Sequence, residues 1–147
     1  MPNRFQLVID AHDPAGQARF WAAALRYVPE PPPSGFATWG AYYDRLGLPE
    51  EERSDESDSI VDPTGAGPRI WFQAVEDSKT TKNRLHIDLG VSGGFGIAVP
   101  VRKERVEAEA VRLVSLGATR LGTLFQEGVE HYAVAMADPE GNEFDIN

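Results

Sequence analysis

Cysteine is absent from the sequence, which excludes disulfide bonds and every chemistry that depends on a thiol. The sequence also lacks an apolar run long enough to cross a bilayer. Its first residues, Met1 to Arg4, lead directly into a strand-like segment and carry no visible secretory signal. We therefore expect a cytoplasmic protein with no membrane partner.

Positive charge is also scarce, with 14 Lys and Arg residues against 23 Asp and Glu residues and a formal net charge of −9. Binding to nucleic acid depends on clustered lysine and arginine side chains. The one basic cluster, formed by Lys79, Lys82 and Arg84, is short and lies in a polar linker. We therefore expect no nucleic-acid partner, and the acidic run over residues 50–58 is typical of a solvated loop.

The first half of the chain predicts a strand followed by a helix. The chain has 147 residues, of which 41% are apolar, and this fits a single globular domain. Residues 5, 7 and 9 are apolar and share one face of an extended chain, opposite residues 6, 8 and 10, which predicts a strand over residues 4–10. Asp13-Pro14 is a typical helix start, and Phe20 and Trp21 lie on the apolar face of that helix. Further predicted elements are a short helix over residues 38–48 and strands over residues 59–62 and 69–75.

The second half repeats this plan. Its predicted elements are a strand over residues 85–91, a helix over residues 103–116, a hairpin of residues 118–125 and 130–137 that turns at Glu127-Gly128, and a last strand over residues 142–146. Each half also closes with an Asp-Pro-x-Gly turn, at Asp62 and at Asp138, followed by a strand. Such self-similarity indicates an internal repeat.

Two segments carry a resemblance to a known family. The ending from Asp138 to Phe144 resembles the closing motif of the glyoxalase/bleomycin-resistance/dioxygenase (vicinal oxygen chelate) superfamily. The segment from Lys82 to Leu89 resembles the opening of the second module in its glyoxalase-like domain branch. The resemblance implies an α+β fold in which two βαβββ modules form curved half-barrels around a central cup. Its implied boundaries are module one over about residues 3–76, a linker over 77–83 and module two over about 84–147, and it also implies a homodimer.

The resemblance implies a ligand set as well. In metal-dependent members, four ligands come from the first and last strands of the two modules, and the matching positions here are Gln6, Gln73, His86 and Asp145. Imidazole and carboxylate are good ligands for Zn²⁺, Ni²⁺, Fe²⁺ or Mn²⁺, whereas amide oxygens are weak ones. Because two good ligands rarely hold such an ion firmly, the sequence favours a site without metal over a bound divalent metal.

His86 and Asp145 are also the candidate catalytic residues. Histidine exchanges protons near neutral pH, so His86 is interpreted either as a ligand or general base, or as a hydrogen-bonded pocket residue. Its face is inferred from Leu85 and Ile87, which are expected to point towards the helix. Asp88 follows on the face of His86, where it either orients the imidazole or pairs with a nearby basic side chain.

The remaining candidates are substrate-binding residues. Trp39 and Tyr42 either form an aromatic lid over the cup or simply pack their helix down. Trp71 is a candidate pocket wall, Gln6 and Gln73 are candidates to orient oxygen atoms, and His131 faces either the cup or solvent.

No nucleophile elbow or phosphate loop is present in the sequence, and the glycine-rich stretch over residues 93–96 is interpreted as a flexible loop. Three functions therefore stay open. One is a lyase- or isomerase-type enzyme that acts on a small oxygenated or carbonyl metabolite. Another, implied by the resemblance to bleomycin-resistance proteins, is a metal-free protein that binds and sequesters a small molecule. The third is an interaction domain whose cup has lost its ligand. Fold alone does not decide between these functions. We favour the first of them.

Overall fold

The computed structural model describes residues 1–125 and 128–147. The chain divides into two compact units, Met1–Glu76 and Asp77–Asn147. The predicted hairpin turn at Glu127-Gly128 lies partly outside the described residues, because Glu127 is not among them.

The N-terminal unit is an open sheet with helices. Its elements in chain order are β1 (Gln6–Ala11), α1 (Pro14–Leu25), β2 (Val28–Pro29), α2 (Trp39–Leu46), a 3-10 turn (Glu50–Glu52), β3 (Ser59–Val61) and β4 (Arg69–Ala74). The four strands lie in the order β1-β4-β3-β2, with β1 parallel to β4 and the other pairs antiparallel. This is a βαβββ module into which α2 and the acidic segment are inserted.

Helix α1 begins where the sequence predicts. The side chain of Asp13 accepts a hydrogen bond of 3.0 Å from the backbone N–H of Gly16, and Pro14 supplies the fixed φ of the first turn. Trp21 and Phe20 are 2% and 4% exposed, so the apolar face of the helix is buried. The helix packs on β3 and β4, and Phe72 of β4 is fully buried.

The C-terminal unit has the same topology. Its elements are β5 (Asp88–Leu89), α3 (Val99–Ser115), β6 (Thr119–Phe125), β7 (Tyr132–Ala137) and β8 (Glu143–Ile146). The sheet order is β5-β8-β7-β6, again with the first strand parallel to the last. The α+β prediction of two βαβββ modules is therefore confirmed, and neither four-stranded sheet closes into a barrel. Among the described residues, no helix combines the length and the apolar character that a membrane span requires.

The two Asp-Pro-x-Gly turns are built alike. In each, the aspartate carboxylate accepts a hydrogen bond from the backbone N–H two residues later, at 2.8 Å for Asp62 and 2.9 Å for Asp138. The fourth residue has a positive φ, 73° at Gly65 and 88° at Gly141, which only glycine adopts without cost. The local sequence thus explains the repeated turn in both modules.

Strand β5 is shorter than the predicted strand over residues 85–91. Its ladder with β8 joins only Asp88 to Asp145 and Leu89 to Ile146. Leu85 is 82% exposed, so the prediction that it faces the helix is wrong. The preceding segment is instead tied down by a side chain, because the backbone N–H of Asn83 donates to the Glu143 carboxylate at 3.0 Å.

Helix α3 begins one turn before the predicted start at residue 103. Pro100 lies in its first turn, where its missing N–H costs nothing and its fixed φ suits the helix. Val106 and Leu113 are fully buried, as the periodicity predicts, but Val114 is 48% exposed because it lies about 100° around the helix from Leu113. The two-residue β2 was not predicted, since it is too short to show alternation.

Candidate functional site

One imidazole and two carboxylates meet at the parallel pair β5–β8. His86 Nε2 lies 3.3 Å from Asp88 Oδ1 and 3.6 Å from Asp145 Oδ2. The side chains are 43%, 52% and 25% exposed, respectively, so a solute has access to the group while Asp145 is partly shielded. We call these three residues the His86 cluster.

The strand register explains why the cluster forms. Asp88 and Asp145 are paired neighbours in the parallel ladder, which places their side chains on the same face of the sheet. On β8, Phe144 and Ile146 are 1% and 0% exposed, so Asp145 between them must point away from the core. His86 lies outside β5, two residues before Asp88, and its Nε2 reaches the two carboxylates at 3.3 Å and 3.6 Å.

Backbone hydrogen bonds fix the chain on both sides of the cluster. The N–H of Asp145 donates to Ile87 O at 3.0 Å, and the N–H of Asn147 donates to Leu89 O at 3.0 Å. The Asn147 side chain also donates to Asp88 Oδ2 at 3.2 Å. Two carboxylates held this close repel each other, so the cluster favours a positive charge between them.

The donor set suits a divalent cation. The candidate ligand atoms of the His86 cluster all lie within 4.8 Å of one another. Imidazole and carboxylate ligands suit ions such as Mn²⁺, Fe²⁺ or Zn²⁺. The ligand set expected from the sequence does not include Asp88, which is assigned only a role next to His86. Its spacing of two residues from His86 already indicates a shared face.

Gln6 and Gln73 lie in the N-terminal unit. Gln6 Oε1 accepts a hydrogen bond of 2.8 Å from Arg69 Nη1, so the oxygen proposed as a ligand is engaged by a guanidinium. Glu30 holds that guanidinium through Nε at 2.9 Å and Nη2 at 2.5 Å, and this hydrogen bonding raises the pKa of Arg69. Gln73 is exposed on β4, opposite Asp10 in the ladder.

The candidate aromatic residues are anchored within the same unit. Trp39 Nε1 donates to Glu30 O at 2.9 Å, and the Trp39 ring stacks on that of Tyr43 with centroids 5.6 Å apart. The Tyr42 ring lies 5.9 Å from the Trp39 ring, edge to face. Trp71 Nε1 donates to Asp58 Oδ2 at 2.9 Å. These contacts show how α2 is packed, and a lid over a ligand stays a prediction.

His131 lies immediately before β7 and is exposed. It lines a small cavity of about 170 Å³ in the C-terminal unit, together with Phe95, Arg102 and Tyr132. We call this space the Arg102 cavity. The sequence left the face of His131 open, and periodicity has no information on a residue that lies outside the strand.

Comparison with known families gives the decisive match. The family described as "Glyoxalase-like domain" matches residues 6–147. The chain belongs to this family. The resemblance seen in the sequence of this glyoxalase-like domain is therefore confirmed over nearly its whole length, and no curated protein matches it.

Solved structures share the fold of this glyoxalase-like domain. An enzyme of the glyoxalase/bleomycin resistance protein/dioxygenase family from Burkholderia phytofirmans PsJN is 18% identical, with a TM-score of 0.61, over 97% of this chain and 94% of that chain. The fosfomycin resistance protein FosX from Listeria monocytogenes is 12% identical, with a TM-score of 0.61, over 100% and 91%. A mutant of that FosX, 12% identical over 100% and 90% with a TM-score of 0.61, was solved with Mn(II) and 1S,2S-dihydroxypropylphosphonic acid. At these identities the similarity establishes the fold.

Proposed function

We propose that this protein is an enzyme that acts on a small oxygenated or carbonyl metabolite, and that the His86 cluster is its reactive centre. The observation that supports this most is the position of His86 Nε2, which lies 3.3 Å and 3.6 Å from two carboxylates on an accessible sheet face. Carboxylates this close to an imidazole orient it for proton transfer or for holding a metal. A lyase or isomerase reaction, in which a proton moves next to a carbonyl, is the reaction class that fits.

The position of each residue in the His86 cluster suggests its role. His86, Asp88 and Asp145 would hold a divalent metal, which would polarise a bound substrate oxygen. Asp145 is the least exposed of the three at 25%, so its carboxylate is the one most shielded from water. Asp88 accepts from Asn147 at 3.2 Å and is thereby oriented towards His86. A relative of the same fold that binds Mn(II) and a hydroxylated phosphonic acid supports this assignment.

A metal-free binding protein is the second candidate. It is favoured by the engagement of Gln6 Oε1 with Arg69, because this interaction competes with metal ligation at the position that the family pattern assigns to Gln6. The aromatic residues of α2 would then supply the binding surface. In this case we expect small-molecule capture without turnover.

Metal binding distinguishes the two candidates. We would titrate the metal-free protein with Mn²⁺, Fe²⁺ and Zn²⁺ by calorimetry and compare His86→Gln, Asp88→Asn and Asp145→Asn. Asp77→Asn is the matched control, because Asp77 is an exposed carboxylate outside the cluster. We expect about one ion per chain in the wild type and the control, and a loss of affinity of about 10-fold or more in each cluster variant.

Either result bears directly on the assignment. Equal affinity in the cluster variants and the control would remove the metal from the His86 cluster. Absence of binding for all three ions would reject the metal-dependent enzyme and leave a metal-free binder or a metal-free acid–base enzyme.

A further inference from the structure

A buried arginine lies outside the proposed reactive centre. Arg102, in the first turn of α3, is 5% exposed and lines the Arg102 cavity. Its Nη2 donates to Glu130 O at 2.8 Å, while its Nε is buried and, within residues 1–125 and 128–147, has no hydrogen-bond partner. A buried charged group without full hydrogen bonding is costly, so its retention points to a ligand.

Cationic residues cluster at the start of the helix that lines the cavity. Arg102, Lys103 and Arg105 lie in the first turns of α3, with the exposed Glu104 among them, and in the described part of the chain none of the three cations forms an ion pair. The nearby carboxylate of Glu107 is already held by Arg120 at 2.6 Å and by the hydroxyl of Tyr132. The cationic group therefore has unused capacity for an anion.

The helix start adds to this positive potential. No side chain caps α3 at Ala98, and its first turn has no acidic residue. The N-terminal end of a helix carries a partial positive charge, so an arginine there is unfavourable in the empty protein and favourable once an anion is bound. The helix end and the buried guanidinium thus act in the same direction.

The walls of the cavity limit the size of the ligand. The Arg102 guanidinium lies 5.5 Å from the centroid of the Phe95 ring, which is 80% exposed. Ser92, His131 and Tyr132 supply polar groups around the same space. A volume of about 170 Å³ corresponds to roughly five or six water molecules, which suits a compact group and excludes a nucleotide.

We propose that the Arg102 cavity is a binding site for a compact oxyanion, namely a carboxylate or phosphate group of a small molecule. A guanidinium carries Nε–H and Nη–H donors in a planar fork that matches such anions, and the buried Arg102 Nε has no partner among the described residues. None of the three residues of the His86 cluster lines the cavity, so the two sites can be tested separately. Asn147 is a shared neighbour, because it lines the cavity and also donates to Asp88 of the cluster.

The proposal can be tested by measuring anion binding at the Arg102 side chain. We would record the Arg102 Nε–H resonance by ¹H–¹⁵N NMR while the wild-type protein is titrated with inorganic phosphate or with acetate, at ionic strength held constant with sodium chloride. A saturable shift of this resonance with phosphate alone, with acetate alone or with both supports the site and states which oxyanion it takes. No saturable shift with either anion would overturn the proposal.

Thermal unfolding gives a second readout with a matched control. Arg102→Met removes the buried charge, whereas Arg4→Met makes the same change at an exposed position. At about ten times Kd, the bound anion should raise Tm by about 4 °C in the wild type and in Arg4→Met, and by nothing measurable in Arg102→Met. An equal rise in all three proteins would show that the anion binds elsewhere. If Arg102→Met does not fold, the NMR titration of the wild type still decides.

Discussion

Glu107 is a residue whose charge contributes to stability in a measurable way. Its hydrogen bonds with Arg120 and, secondarily, with Tyr132 lower the pKa of the carboxyl group from 4.5 to about 2. A carboxyl group with a lower pKa in the folded state stabilises the protein above its unfolded pKa, and this stability is lost as the pH falls through the folded value. The relevant pH window therefore runs from about 4.5 down to about 2.

We predict that Glu107→Gln lowers Tm at neutral pH, and that the difference from the wild type shrinks as the pH falls below about 4.5. Thermal unfolding of both proteins between neutral pH and the acid limit of folding measures this. Glu104→Gln is the control, because Glu104 is exposed on the same helix. A difference that is constant across this range would show that Glu107 acts through packing and not through its charge.

For individual residues, the sequence predicts which face of a strand a side chain occupies better than it predicts which side chain it contacts. The alternation along the last strand correctly turns Asp145 away from Phe144 and Ile146, which are buried. The engagement of Gln6 could not be read from the sequence, since its partner Arg69 is 63 residues away and is oriented by a third residue. Such a contact depends on the tertiary register of β1 and β4, which local pattern does not contain.

At the scale of elements, α3 is held to its sheet by a narrow apolar stripe. Val106 is fully buried on this stripe, whereas Val114, eight residues further along the helix, is 48% exposed. We predict that Val106→Ala lowers the free energy of unfolding by about 2–3 kcal/mol, because it removes buried methyl groups and leaves a cavity. The same change at Val114 should cost within about 0.5 kcal/mol. Urea denaturation measures both, and similar losses would mean that α3 packs through a different face.

Elements that are specified locally were predicted well, and those specified by distant contacts were not. Helix α2 follows from Thr38, whose side chain accepts from the N–H of Ala41 at 3.1 Å, and from the αL glycine Gly47 that ends it. Strand β5 was predicted too long, because its apolar alternation continues beyond the two residues that β8 pairs with. Alternation records which residues prefer an extended backbone, but the partner strand decides how many of them enter the ladder.

At the scale of the whole molecule, the net charge of −9 limits what partners the protein attracts. An acidic chain does not gain from counterion release on nucleic acid, so we expect none as a partner. The cationic residues of α3 are an exception confined to one helix start, which is consistent with a compact anion and not with a polymer.

A homodimer stays a prediction from the sequence. The sheet edge of the C-terminal unit is a candidate for its interface. Strand β6 is the outer strand of its sheet and pairs only with β7 among the described residues. Its side chains Leu121 and Phe125 are 55% and 61% exposed. A sheet edge that leaves backbone groups unpaired beside exposed apolar side chains is prone to pair with another chain, so we expect this edge to be covered by a second copy.

Light scattering coupled to size exclusion measures this directly. We predict a mass of twice 16.1 kDa for the wild type, and a shift to the monomer for the double variant Leu121→Lys/Phe125→Lys. Val111→Lys is the control, because Val111 is 69% exposed on α3 and away from the edge. A monomeric wild type would contradict the prediction, and a dimer that survives the double variant would move the interface away from β6. Either result would leave the exposed Leu121 and Phe125 without a partner at this edge and make them an aggregation risk.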